Sequence, residues 1–528
     1  MRSPTRPPAA ADPASRRSVF AVVLGNAVEF FDFGVYATFA VMIGRTFFPS
    51  DSAFVSLLLS VTAFGVGFVI RPLGAILIGA YADRVGRKPA MLLTLFLMAL
   101  GTGGIAVLPG YDSIGPAAPL LLVLTRLLQG LAWGGEAGPA TTYILEAAPP
   151  HKRGTYACWQ VVAQGIAAVA AGLMGYLLTL WLDERQLQEW GWRIPFVIGA
   201  ITAVIALWLR RSLNETASKS TLERKESGTF AELFKHKRAF FTVLGFTAGG
   251  SLIFYTFTTY MQKYLVNTAG MDPKVASGVM TFALFCYMCM QPLFGALSDR
   301  IGRKPVLLAG LLLATLFYFP LFKGLTHYAN PAIDQASRQS PISVVADPAT
   351  CTFQFDPVGK ATFDSPCDKV KTFLVKAGLP YSTVAAPAGS DVRIRVGETE
   401  IAGFDAEAMA AAVKAAGYPQ QADGSQVNKP MVIAIIFALV LISTLCYGPL
   451  AALMVELFPT RIRYSSLSLP YHIGNGWFGG FLPTVSFALV VYTGDIFYGL
   501  WYPVLITGGS LVCALLFLRE TRHTDIHR

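Results

Sequence analysis

The sequence predicts an all-α membrane protein: twelve transmembrane helices in two pseudo-symmetric six-helix halves, with a small α/β insertion between helices 9 and 10. Three observations predict it. Hydrophobic residues fill 54% of the 528 positions and charged residues 14%, whereas about a quarter of a soluble protein is charged. Twelve stretches are long and apolar enough to cross a bilayer. Short charged motifs of the first half return in the second. Seven cysteines are too few for a disulfide-rich secreted scaffold.

A crossing helix needs about 20 mostly apolar residues. The spans are 19–44, 54–82, 90–108, 118–145, 156–182, 194–211, 239–264, 275–298, 305–324, 429–453, 464–490 and 497–518. Arg2, Arg6, Arg16 and Arg17 precede the first, yet it is not a signal peptide. Asn26, Glu29 and Asp32 break any apolar core, and further spans follow.

Lysine and arginine set the orientation. With the N-terminus inside, inner tails and loops hold 25 of the 42 basic residues, and the short outer loops hold five. The net charge of +10 is then a topology signal and not a nucleic-acid footprint. Both termini are expected in the cytoplasm of a bacterial inner membrane. The expected organisation is a tail at 1–18, a first half at 19–211 and a loop at 212–238. A second half at 239–518 follows, interrupted by a periplasmic domain at 325–427, and then a tail at 519–528.

DRVGRKP at 83–89 returns as DRIGRKP at 299–305, each after a glycine-rich apolar helix. EAAPPHKR at 146–153 is echoed by ELFPTRIR at 456–463. The offset grows from 216 to 310, so an insertion lies between the echoes. Duplicated halves with a site at the midplane between them mark many secondary transporters.

These motifs resemble the loop signature of the major facilitator superfamily. EFFDFGVYA (29–37), RPLGAILIGAYADRVGRKP (71–89), RLLQGLAWGGEAGPA (126–140) and TTYMQKYLVNTAGM (258–271) resemble its metabolite:proton symporter family. The resemblance covers all twelve spans. It implies the major facilitator fold and alternating access. It also implies proton-driven uptake of a small metabolite: an organic acid such as citrate, 2-oxoglutarate or shikimate, with proline or betaine as the alternative. The insertion departs from that family's short loop.

Cys351 and Cys367 lie in the insertion, and the other five cysteines lie in or beside spans. Two cysteines alone in an oxidising compartment read as a disulfide. TCTFQFD reads as a strand, SPCDKVKTFLVKAG as a helix and DVRIRVGETEIAG as a hairpin. FDAEAMAAAVKAAG reads as a helix with Asp405 as N-cap and Gly417 as stop.

Glu29, Asp32, Arg71, Arg126 and Glu136 lie inside spans. A charge at the bilayer centre costs at least about 2.5–3.5 kcal/mol, so all five should face the bundle interior. A carboxyl group in low-dielectric surroundings can bind a proton near neutral pH. Asp32 is the first candidate for coupling, then Glu29, with Arg126 as partner; the resemblance also raises Arg126. Arg71 and Arg126 could hold a carboxylate bidentately, or Arg126 could pair with Asp32 or Glu29. Further binding candidates are Asn26, Tyr36, Gln129, Gln160 and Gln164 in the first half. In the second they are Tyr255, Thr259, Gln262, Tyr287, Gln291, Tyr447, His472 and Asn475.

Gating is assigned to Asp83, Arg84, Arg87, Lys88, Asp299, Arg300, Arg303 and Lys304. Glu136 joins them, with Glu146 paired to Arg153 and Glu456 to Arg463. No GxxxxGK[ST], HExxH or GxSxG occurs, which argues against an ATP-driven pump and against an enzyme. No metal and no cofactor beyond the coupling proton is expected. The partners are the substrate, protons and lipid, without nucleic acid, around a chain working as a monomer. A proton antiporter and a membrane receptor are the alternatives.

Overall fold

The computed structural model describes residues 16–49, 60, 63, 65–211, 235–354, 363–419, 426–459 and 463–526. Among them, eleven helices are long and apolar enough to cross a membrane. Span 2 is helical over Arg71–Val85, and at its other end residues 54–59, 61, 62 and 64 fall outside the described residues.

The spans keep the numbers 1 to 12. The first half has helix 1 (Arg16–Thr38, continued by Ala40–Phe47), helix 2, helix 3 (Arg87–Val107), helix 4 (Ala117–Ala147), helix 5 (Arg153–Trp181) and helix 6 (Ile194–Arg211). The second has helix 7 (Lys237–Tyr255 and onward to Thr268), helix 8 (Pro273–Ile301), helix 9 (Arg303–Ala329) and helix 10 (Lys429–Glu456). Helix 11 (Arg463–His472, continuing to Thr493) and helix 12 (Trp501–Phe517) complete it. Helix 5 packs on helix 8 and helix 2 on helix 11, with helices 4 and 10 adding to the seam.

The repeat is visible in the backbone. Gly86 (φ 121°) and Gly302 (φ 110°) each close one helix and open the next. That conformation is strained for a residue with a Cβ, which is why DRVGRKP and DRIGRKP carry glycine at the same place. We call this end of the bundle the terminal face, because helix 1 begins and helix 12 ends there. At the seam a Cβ on Gly295 would stand 2.7 Å from the Gly154 carbonyl, so helices 5 and 8 meet only because both positions are glycine.

The inserted domain emerges at the opposite, distal face. Its sheet has the order β2-β1-β3-β4, from β1 (Ile342–Ala346), β2 (Ser382–Ala385), β3 (Arg393–Val396) and β4 (Thr399–Ala402). β1 and β2 are parallel, joined across the helix Pro366–Lys376; β3 and β4 form the hairpin read from the sequence. Asp405 caps the helix Ala406–Ala415, and Gly417 (φ +83°) follows it. The disulfide Cys351–Cys367 is present, with Cα atoms 5.3 Å apart. Outside the membrane, backbone N–H groups of Gly389 and Ala349 hold the Asp347 carboxyl below the usual carboxylate range.

Two readings need correction. The strand expected at 350–356 begins in a 3-10 turn at Thr350 and is irregular over 351–354, and the rest lies outside the described residues. Thr352 donates its N–H (2.9 Å) and hydroxyl (2.7 Å) to the Asp368 carboxylate, so those donors are not available to a ladder. The strands β1 and β2 were not read. Helix 9 also runs to Ala329 rather than 324, with Thr326 sharing a 2.6 Å hydrogen bond with Tyr264. A further helix, Pro331–Gln339, opens the domain.

The domain sits on the second half. Tyr381 donates its hydroxyl to the Val491 carbonyl (2.5 Å) and its N–H to the Gly494 carbonyl (3.0 Å). Val490 and Val491 of helix 11 are buried in the domain's own core.

Candidate functional site

Helix 1 presents Glu29, Asp32 and Tyr36 at three- and four-residue steps, so one face looks inward. Asp32 is fully engaged there. Its Oδ2 lies 3.0 Å from Arg126 Nη1, and its Oδ1 accepts from Thr102 Oγ1 at 2.9 Å. Gln129 Nε2 donates to the same Thr102 hydroxyl at 2.8 Å. The Arg126 guanidinium stacks over the Tyr36 ring at 3.9 Å, and Tyr36 donates to the Ser60 carbonyl. Arg126 Nε and Nη2 have no partner among the described residues. Of the sequence alternatives for Arg126, the pair with Asp32 is the one formed.

Glu136 Oε1 is 2.6 Å from Arg210 Nη2, away from the charge pairs of the other gating candidates, and Thr94 donates to its other oxygen. Arg210 also donates to the carbonyls of Val22 (3.0 Å) and Met91 (3.3 Å). This pair ties helices 1, 3, 4 and 6 together inside the first half. Sequence reading missed Arg210, because an arginine at a helix end looks like topology bias. It missed Thr102 as well, since a lone threonine in an apolar helix carries no signal.

Two charges remain without an ion-pair partner among the described residues. Glu29 is fully buried, and neither carboxyl oxygen has a hydrogen bond. Arg71 is 2% exposed, with its guanidinium 3.5 Å from the Phe68 ring centre, 3.7 Å from Trp133 and 4.8 Å from Phe33. Aromatic faces stabilise a desolvated cation by about 2 kcal/mol, leaving the guanidinium's hydrogen-bonding capacity for another group. Glu29 and Trp133 line one narrow cavity of about 50 Å³ between the halves. Asn26, Gln160 and Gln164 face it from the first half, and Tyr447 and Tyr471 from the second. Asn26 Nδ2 donates to the Gln160 carbonyl at 3.3 Å. Glu29 and Arg71 lie within electrostatic reach of each other.

On the second half, both polar ends of Gln291 and Asn475 Oδ1 are buried without partners among the described residues, and Tyr287 is buried beside Tyr447. His472 Nε2 meets the Gly134 carbonyl at 3.1 Å and its ring packs on Trp133, so it bridges the halves. Tyr255 packs on Phe254 in the same region. Thr259 and Gln262 stand apart: with Thr258 and Lys263 they line a separate pocket beside Met280 and Leu284 of helix 8. The reason is a π-helical segment at Thr256–Tyr260. Its wider turn rotates the later residues off the face that an α-helical count assigns. A second such segment, Ile473–Gly479, carries Asn475.

The gating residues gather at the terminal face, and their pairing differs from the sequence reading. Glu146 pairs with Arg87 (2.5 Å) and with Arg463 of the other half (3.2 Å), not with Arg153. Glu456 pairs with Arg303 (3.4 Å), not with Arg463. Asp83 accepts the Tyr464 N–H at 3.2 Å. Asp299 binds Arg303 (2.7 Å) and accepts the N–H groups of Gly154 and Thr155, both at 2.9 Å. Arg153 donates to the Thr524 carbonyl, Lys304 to the Leu515 carbonyl, and the Arg300 carbonyl accepts from Arg522. Arg84 is exposed and Lys88 half-buried. The acids of each half therefore hold groups of the other, and the terminal face is closed.

A bundle of two six-helix halves, closed at one face, with two buried opposite charges that have no ion-pair partner among the described residues, is the architecture of a membrane carrier. The sequence profile of the Major Facilitator Superfamily matches residues 22–324. The chain is 49% identical over 320 residues to the alpha-ketoglutarate permease of Escherichia coli K12, covering 60% of this chain and 74% of that one. It is 40% identical over 325 residues to the citrate-proton symporter of Salmonella typhi, covering 59% and 73%. The solved proton:xylose symporter XylE superposes with a TM-score of 0.62 over 97% of both chains, at 14% identity, which shows the fold. This chain belongs to the Major Facilitator Superfamily.

Proposed function

We propose that the protein is a proton-coupled symporter that takes up a small organic acid of the di- or tricarboxylate class by alternating access. The permease and citrate-symporter relatives support that substrate class. The observation that carries the reading is two buried charges without an ion-pair partner among the described residues, Glu29 on the cavity and Arg71 within electrostatic reach of it. Arg71, stacked but not ion-paired, is free to take a carboxylate. Glu29, with neither oxygen hydrogen-bonded, is free to take the proton.

In this scheme a proton on Glu29 leaves Arg71 to one substrate carboxylate and takes one negative charge out of the loaded site. Once substrate and proton leave, the Glu29 carboxylate and Arg71 compensate each other, and the empty carrier returns. Asp32, already holding Arg126 and Thr102, serves to keep helices 1, 3 and 4 in register. The positive-inside bias supports cytoplasmic termini and a periplasmic inserted domain in a bacterial inner membrane.

Arg71→Gln tests the anchor. A charged hydrogen bond contributes about 1.5–3 kcal/mol, so 2-oxoglutarate or citrate binding should weaken by more than about tenfold. Near-normal binding of both acids to the folded variant removes Arg71 as the carboxylate anchor.

A further inference from the structure

The segment after helix 12 is tightly bound to the bundle. The Glu520 carboxylate accepts the N–H groups of Arg303 (2.9 Å) and Lys304 (3.0 Å) at the start of helix 9. Burial acts to raise this carboxyl, but those donors with Arg522 and Thr521 hold it below its usual range. Thr521 Oγ1 donates to Glu456 Oε2 at 2.5 Å. The Ile526 side chain is completely buried in the second half's core.

Two carbonyls of the segment then meet the seam. Ile526 accepts from Arg463 Nη2 at 2.8 Å, and Thr524 accepts from Arg153 Nη1 at 2.9 Å. Arg153 belongs to the first half, whereas Arg303, Lys304, Glu456 and Arg463 belong to the second. Arg463 Nε and Nη2 are also held by the Phe458 carbonyl (3.1 and 3.0 Å), which leaves Nη1 for Glu146 across the seam.

We propose that residues 520–526 form a strap that holds the terminal face shut, by bonding Arg153 directly and by aiming Arg463 at Glu146. Opening that face separates helix 5 from helix 8 and helix 2 from helix 11, so the Arg153–Thr524 bond must break along with the charge pairs. The strap adds to those pairs without replacing them, and it therefore sets how often the face opens. The far end of the strap is seated by one apolar side chain in a core, so a substitution at Ile526 frees the Thr524 and Ile526 carbonyls while the Glu520 and Thr521 bonds remain.

Cys158 reports opening without any engineered label. It lies on helix 5 at the seam, 1% exposed, with its Sγ 3.5 Å from the Gly448 carbonyl of helix 10. Cys446 is equally buried but inside the second half's core, and it serves as the control. Alkylation of the full-length protein by a water-soluble maleimide is followed by peptide mass spectrometry. Ile526→Asp, and a chain stopped after Glu520, should each raise the Cys158 rate on the order of tenfold, the effect of one lost charged hydrogen bond. Cys446 should stay protected, and Ile526→Val should match the parent. Unchanged Cys158 labelling in both released forms overturns the strap. Equal rises at Cys158 and Cys446 also overturn it, because they show general loosening.

Discussion

Glu29→Gln abolishes uphill accumulation of substrate under a pH gradient, while exchange of internal for external substrate continues. Glutamine copies the protonated carboxyl in size and polarity, so the loaded form is always available. The empty form, which needs the Glu29 carboxylate opposite Arg71, is lost. Counterflow of labelled 2-oxoglutarate in proteoliposomes measures the exchange, and net uptake against a concentration difference measures the coupling. Uphill accumulation by Glu29→Gln at the parent's level places the coupled proton elsewhere. Asp32→Asn behaves differently, because it removes a carboxylate that Arg126 and Thr102 already hold. Its first effect falls on folding and helix register.

Arg126→Gln is the variant with the largest loss of stability. Its ion pair with Asp32 is almost completely buried, with side chains 1% and 0% exposed. Removing one partner strands a carboxylate in the bundle, and breaking a buried pair this way costs about 3–5 kcal/mol. Asp32→Asn combined with Arg126→Gln removes both charges and should recover most of that loss. Thermal unfolding in detergent, compared across the two single variants and the double, gives the coupling energy directly. Additive losses in the double variant contradict the pair as a stabilising unit.

The elements that were legible share one property: their cause is local. Span length follows from apolar composition, and the DRVGRKP and DRIGRKP turns follow from the positive φ that Gly86 and Gly302 adopt. The cap at Asp405 and the hairpin at 393–402 obey short-range rules too. What was misread depends on distant partners. Glu146 meets Arg463 317 positions away rather than Arg153 close by. Arg210 looked like a topology marker until Glu136 was seen beside it. In the stripe from Tyr255 to Gln262, Thr258, Thr259 and Gln262 do share a pocket, but Tyr255 does not line it, since a count of 3.6 residues per turn does not survive a π-helical turn at Thr256–Tyr260. Of the inward-facing charges, the sequence placed all five inside the bundle. The unpaired state of Glu29 and Arg71 became visible only once Asp32 had found Arg126 and Glu136 had found Arg210.

Proton movement during substrate uptake tests the central claim most directly. Purified protein in liposomes, with the outside made acidic and 2-oxoglutarate or citrate supplied there, is followed by labelled substrate and by an internal pH dye. The account predicts that at least one of these acids accumulates above its outside concentration only while the gradient lasts, with the interior acidifying in step. Substrate that merely equilibrates with the gradient in place, or that accumulates without proton entry, contradicts it.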